Sequence, residues 1–172
     1  EPDSTGLTKI DAARRAGSQI LNVIAAENTA LGTSSQIGLA SYNSIATIVS
    51  PLTTDIAAIQ TGLSSLSATG RTAMADGLKS GMDLLGSSTD KKALILLSDG
   101  LPNIGLNGVQ SIDPDTIKQQ VIDLASQAGQ NNTCVYTVGF GDPTAGPGSI
   151  DEEFLKQVAS ASGCGEYYNA LD

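Results

Sequence analysis

No histidine occurs anywhere in the 172 residues, tryptophan is also missing, and aromatic side chains make up only 3% of the chain. With so little aromatic bulk, the core has to be filled by Ile, Leu, Val and Ala. The 40% hydrophobic content is enough to do so for a chain of one domain's length. The lack of histidine removes the usual base of a hydrolytic triad, and no serine stands in a Gly-x-Ser-x-Gly turn. Catalysis by this chain alone is therefore the least expected of its roles. Basic residues are few, 9 against 18 acidic ones, for a net charge of −9. That balance argues against nucleic acid, whose affinity comes from Lys and Arg neutralising phosphates. It suits a solvated acidic exterior, and it also suits cations. No apolar run approaches the roughly 18 residues of a membrane span, and no signal-peptide pattern is present. The two cysteines, Cys134 and Cys164, are too few to fix the redox compartment by count.

The sequence opens at Glu1-Pro2-Asp3 without a methionine and reads as a processed or excised chain. Residues 7–27 carry Ile10, Ala13, Ile20 and Ile24 near a 3.6 period, which predicts an amphipathic helix. "TSSQIGLASYN" and "SIATIVSPL" read as two short strands joined by a turn at Asn43-Ser44, and a turn that short joins antiparallel strands. Helices are predicted over 54–66 and over "TAMADGLKSGMDLLG", with a loop between them. "KALILLSDG" and "TCVYTVGFG" are near-continuous apolar runs, the pattern of strands covered on both faces. Between them, Asp113 followed by Pro114 marks a helix start. Ser149 and Glu152 have capping-box spacing before a helix carrying Phe154, Leu155 and Val158, and "GEYYNALD" closes the chain as a last strand. Strands alternating with helices predict one α/β domain over residues 1–172, with a mostly parallel, doubly wound sheet.

In such sheets ligands bind beyond the carboxyl ends of the strands. Asp99 follows one strand and Thr72 opens the helix before it, with Ser98, Gly100 and Asn103 close by. A carboxylate and a hydroxyl on one rim, without His or Cys, are hard oxygen ligands suited to Mg²⁺, Ca²⁺ or Mn²⁺. The plainer alternative is that Asp99 accepts backbone N–H bonds in a tight turn and Thr72 caps its helix. "GFGDPTAGPG" is rich in glycine but lacks the Gly-x-Gly-x-x-Gly spacing, and reads as a rim loop rather than a phosphate cradle. Asn131-Asn132-Thr133 fits a glycosylation pattern short enough to arise by chance.

The order "KIDAARRAG", "QIGLASYNS", "TGRTAMADGLKSG", "KKALILLSDGLPN", "VYTVGFGD", "EEFLKQVASASG", "GEYYNALD" spans essentially the whole chain. It resembles the von Willebrand factor type A domain. The resemblance implies a six-stranded sheet of order 3-2-1-4-5-6 and a metal-ion-dependent adhesion site that binds an acidic group of a partner protein. Thr72 in "TGRTAMADG" and Asp99 in "LLSDG" match the family's metal-site threonine and aspartate. The family's first strand ends in Asp-x-Ser-x-Ser, and this sequence begins just after the place for that motif, so two of the five metal-site positions are present. The first central strand is thus expected to be missing from the chain and supplied by an upstream segment or by a neighbouring subunit. In the family order the strand that Cys134 opens and the strand that Cys164 just precedes are parallel neighbours, which implies a disulfide between these two residues, with two buried thiols as the alternative; a bond would favour an extracellular or cell-surface location. The expected function is an adhesion or protein-binding module. The alternatives are a structural subunit of an extracellular filament or layer, and a subunit of an intracellular chelatase- or ATPase-type complex.

Overall fold

The computed structural model describes residues 8–110, 113–140 and 150–170. It opens with α1 (Lys9–Leu31), whose N-cap Thr8 and third residue Asp11 form a reciprocal capping box. The Thr8 hydrogen bond, with help from Arg14, draws the Asp11 carboxyl below its ordinary pKa. The helix runs past the predicted end at residue 27, because the next breaker is Gly32, which closes it in the left-handed region at φ 63°. Next come β1 (Ile37–Tyr42) and β2 (Ala46–Thr53), an antiparallel pair joined at residues 43–45. Pro51 is tolerated in β2 because, among the described residues, β2 pairs with β1 alone. Helices α2 (Ile56–Ser65) and α3 (Met74–Leu85) follow.

The second half contains β3 (Lys92–Ser98), α4 (Pro114–Gln130), β4 (Thr133–Gly139), α5 (Glu152–Ala161) and β5 (Tyr167–Asn169). Strands β3, β4 and β5 form a parallel sheet in that order. Asp113 caps α4 with Pro114 in its first turn, as the sequence predicts. The cap of α5 differs from the prediction. Asp151 accepts the Phe154 N–H, so the capping carboxylate stands one residue before Glu152, and Ser149 lies outside the described residues. Burial alone would raise the Asp151 carboxyl. The Lys118 ammonium at 2.7 Å and the Phe154 N–H outweigh it and hold the pKa below the ordinary value.

Two cores result. The larger joins Met74, Ala75 and Leu78 of α3 with Val121, Leu124, Ala125 and Ala128 of α4 and Phe154, Leu155 and Val158 of α5, over Leu96 and Val135 of the sheet. The smaller joins Leu21 of α1 with Ile59 and Leu63 of α2, against Ile37 and Leu39 of β1. α3 ties the halves together. A Cβ on its Gly77 would lie against the Tyr42 ring of β1, and one on its Gly81 against Leu94 of β3.

Among the described residues β1 pairs only with β2, and β3 only with β4. The described strands thus form two sheets, β1-β2 and β3-β4-β5, whose internal orders agree with the 3-2 and 4-5-6 parts of the implied order. What links β1 to β3 is a side chain, the Tyr42 hydroxyl donating to the Leu97 carbonyl at 2.7 Å. The continuous apolar run of β3 predicts cover on both faces, and here the structure differs. Ala93 and Ile95 are exposed, with Ile95 at 36%, because the helices that cover β3 lie on the face of Leu94 and Leu96.

Candidate metal-binding rim

The carboxyl ends of β1 and β3 meet at the segment 71–73, whose three successive N–H groups are all fixed. Arg71 N–H donates to the Ser44 hydroxyl (3.1 Å), Thr72 N–H to Asn103 Oδ1 (2.9 Å) and Ala73 N–H to the Asn43 carbonyl (2.7 Å). The Thr72 carbonyl in turn accepts the N–H groups of Asn103 (3.1 Å) and Ile104 (3.3 Å). One short segment is thus clamped between the β1–β2 turn and the loop after β3. Gly70 precedes it at φ 81°, and a Cβ there would also strike the Ser44 hydroxyl at 2.7 Å.

The clamp decides what Thr72 does. Helix α3 starts at Met74 with Ala73 in the capping position and no side-chain cap. The Thr72 hydroxyl is therefore not a helix cap, and among the described residues it has no hydrogen-bond partner. The alternative for Asp99 fares no better. The turn N–H that a carboxylate would be expected to accept, that of Gly100, faces the Ser98 hydroxyl at 3.4 Å, and the same hydroxyl donates to the Gly100 carbonyl at 3.0 Å. Among the described residues no backbone N–H bonds to the Asp99 carboxylate. Its partner is a cation, the Lys9 ammonium, 3.6 Å from Oδ2 and 3.3 Å from the Asp99 carbonyl oxygen.

Tyr42 completes the neighbourhood. Burial raises the pKa of its hydroxyl well above the usual phenol range, the Ser98 hydrogen bond opposes that shift, and the Asp99 charge adds to it. The hydroxyl stays protonated and serves as donor to Leu97. The rim thus gathers Ser98 and Asp99 at the end of β3, with Thr72 held beside the same loop through Asn103. These are hard oxygen donors, and Asp99 already engages a positive charge, so the donor set fits a divalent ion in kind. It falls short in number, since the described residues contain no group of three or more acidic, His or Cys side chains able to hold a metal. Lys9, Asn103 and Tyr42 were not assigned roles by sequence reasoning. Asn103 was at least visible beside the rim, whereas nothing local marks Lys9 or Tyr42.

The disulfide lies at the other end. Cys134 and Cys164 are bonded, with Cα atoms 5.1 Å apart. Their separation of 30 residues equals the offset of the β4–β5 register, in which Thr137 faces Tyr167. The bond therefore continues the parallel pairing backwards to the amino-terminal edge, opposite Asp99.

By fold, the chain is similar to the type V pilus tip protein Mfa5 of Porphyromonas gingivalis in a structure of its three N-terminal domains. That match has a TM-score of 0.73 at 16% identity, over 98% of this chain and 44% of that one. It is also similar to an aerotolerance-related membrane protein of Bacteroides fragilis (TM-score 0.70, 15% identity, 93% of this chain and 80% of that one). A third similar structure is proximal thread matrix protein 1 of the mussel byssus (TM-score 0.64, 17% identity, 94% of this chain and 38% of that one). No curated protein sequence matches the chain. At these identities the structures establish the architecture. The sequence model of the von Willebrand factor type A domain, in turn, matches residues 2–101, which include the segment 71–73 and Asp99. In both sequence and architecture, then, the chain belongs to the von Willebrand factor type A domain family.

Proposed function

We propose that the chain is a non-catalytic protein-binding module of this family, whose rim of Thr72, Ser98 and Asp99 presents a divalent cation (Mg²⁺, Ca²⁺ or Mn²⁺) to an acidic group of a protein partner. The observation that carries this reading is the state of the two matched side chains. The Asp99 carboxylate is spent on a cation rather than on its own turn, and the Thr72 hydroxyl is left free by a cap that falls on Ala73. The metal would supply a Lewis-acidic centre for the partner's carboxylate, and this chain would contribute oxygen ligands and their positioning. Asp99→Ala is expected to abolish divalent-dependent partner binding with the fold unchanged by circular dichroism. Binding indifferent both to a chelator and to this substitution would end the metal reading. The chain would then be a structural unit, the role suggested by the pilus tip and byssal thread proteins of similar fold.

The ligand set and the sheet are incomplete in the same place. Apolar side chains on α1 (Ile10, Ile20, Ile24), along all of β1, and at Ala93 and Ile95 of β3 are left partly or fully open. The facing edges of β1 and β3 carry backbone groups without strand partners among the described residues. We infer that an apolar strand from outside these residues pairs there, in the manner of strand addition, and brings further oxygen ligands to the rim. The purified chain should therefore carry a second copy or an extra peptide in native mass spectrometry. A cooperatively unfolding monomer of unmodified mass would show that the place needs no strand. The disulfide supports an extracellular or cell-surface setting and speaks against the intracellular complex. No helix of the described residues is long and apolar enough to cross a membrane.

A further inference from the structure

We propose that Arg71 is a metal-independent anchor for an acidic protein segment: its guanidinium binds an Asp or Glu carboxylate of the partner, while the exposed Ile45 and Val109 receive the apolar residues beside that carboxylate. This role rests on the protein-binding reading and needs no cation. Among the described residues Lys9, Arg14, Lys79, Lys118 and Lys156 are all ion-paired, whereas Arg71 has no acidic partner. Its exposed guanidinium is nonetheless held in place. Nη1 donates to Gln110 Oε1 at 3.1 Å, and the backbone N–H donates to the Ser44 hydroxyl at 3.1 Å. Nε and Nη2 remain without partners among the described residues. Together they form the edge of parallel donors that matches the two oxygens of a carboxylate.

The flanks of Arg71 are apolar and fixed. Ile45 follows Ser44 and is 66% exposed, and Val109 precedes Gln110 and is 45% exposed. Ile45 and the turn at Asn107-Gly108 line one depression over α3, together with Asp76 and Asp83. Both carboxylates are already engaged. Asp76 accepts the N–H groups of Asn107 (2.8 Å) and Gly108 (3.2 Å), and Asp83 accepts from the Lys79 ammonium at 2.7 Å. The Gly105 N–H donates to the Val109 carbonyl at 2.8 Å and closes the turn that carries Val109. Arginine is the basic residue enriched at protein interfaces, where lysine is depleted. Here it stands between two exposed aliphatic side chains on backbone that is already ordered.

The test is an NMR titration of the ¹⁵N-labelled full chain, with EDTA present, by the peptide acetyl-Leu-Asp-Leu-amide and by its Leu-Asn-Leu counterpart. The chain has only three arginines, so the Arg71 Nε–H resonance is readily assigned. The Asp peptide should shift that resonance and the amides of Ile45 and Val109 to saturation. The Asn peptide should bind about twofold to fivefold more weakly, the worth of an exposed ion pair. Arg71→Gln should lose the same factor for the Asp peptide and nothing for the Asn peptide. The fold should be unchanged, because the clamp uses only the Arg71 backbone. Equal affinity for the two peptides, an Arg71→Gln variant that binds like wild type, or shifts confined to other residues would each overturn the anchor. So would the absence of saturable binding. Because EDTA is present throughout, any of these results would leave the metal reading standing, and a failure of the metal reading would leave the anchor standing.

Discussion

Replacing Cys134 and Cys164 by alanine is expected to lower the unfolding free energy by about 3–4 kcal/mol, the chain-entropy value for a loop of this length. The bond closes a segment of 30 residues that contains all of α5. It also sits at the start of a pairing that is short, since β5 contributes only Tyr167–Asn169 to the sheet. Three residues of parallel pairing hold a register weakly, and the disulfide pins it from the amino-terminal side. A urea titration of the oxidised chain against the double-alanine variant reads this as a lower midpoint. A difference below about 1 kcal/mol would mean that Phe154, Leu155 and Val158 anchor α5 well enough to set the register unaided. Because the bond lies at the edge opposite Asp99, divalent binding at the rim should be the same in the oxidised chain and in the variant at temperatures where both are folded.

Gly165→Ala is expected to lose about 3 kcal/mol or more, beyond what overpacking usually costs. A Cβ at this position would lie 1.7 Å from the Val135 carbonyl oxygen and 3.0 Å from that of Ala159. Both obstacles are backbone atoms, so no side-chain rotation relieves the clash, and β4 would have to part from the chain leading into β5. The natural control is Gly100→Ala, where a Cβ would meet no heavy atom within 4 Å. That variant should stay within about 0.5 kcal/mol of wild type. Thermal unfolding of the two variants side by side decides the point, and equal melting temperatures would refute the close approach.

The sequence by itself determined the succession of elements and two residues of the rim. Apolar spacing and punctuation are local, so the pattern of Ile117, Val121 and Leu124 and the Asp113-Pro114 start place α4 without any knowledge of its neighbours. Asp99 and Thr72 were legible because each abuts an element end that such patterns mark, and because their motifs resemble those of the family. Local rules also erred locally. They ended the first helix at residue 27, when Gly32 was the nearest residue able to stop it, and they gave the α5 cap to Ser149 when Asp151 holds it. What only the tertiary structure decided is which distant groups meet. Lys9 reaches Asp99, Asn103 holds Thr72, and Tyr42 bonds Leu97, each joining segments far apart in the chain. The exposure of Ala93 and Ile95 belongs to the same class, since a continuous apolar run records what a strand could bury and the neighbours settle what it does bury.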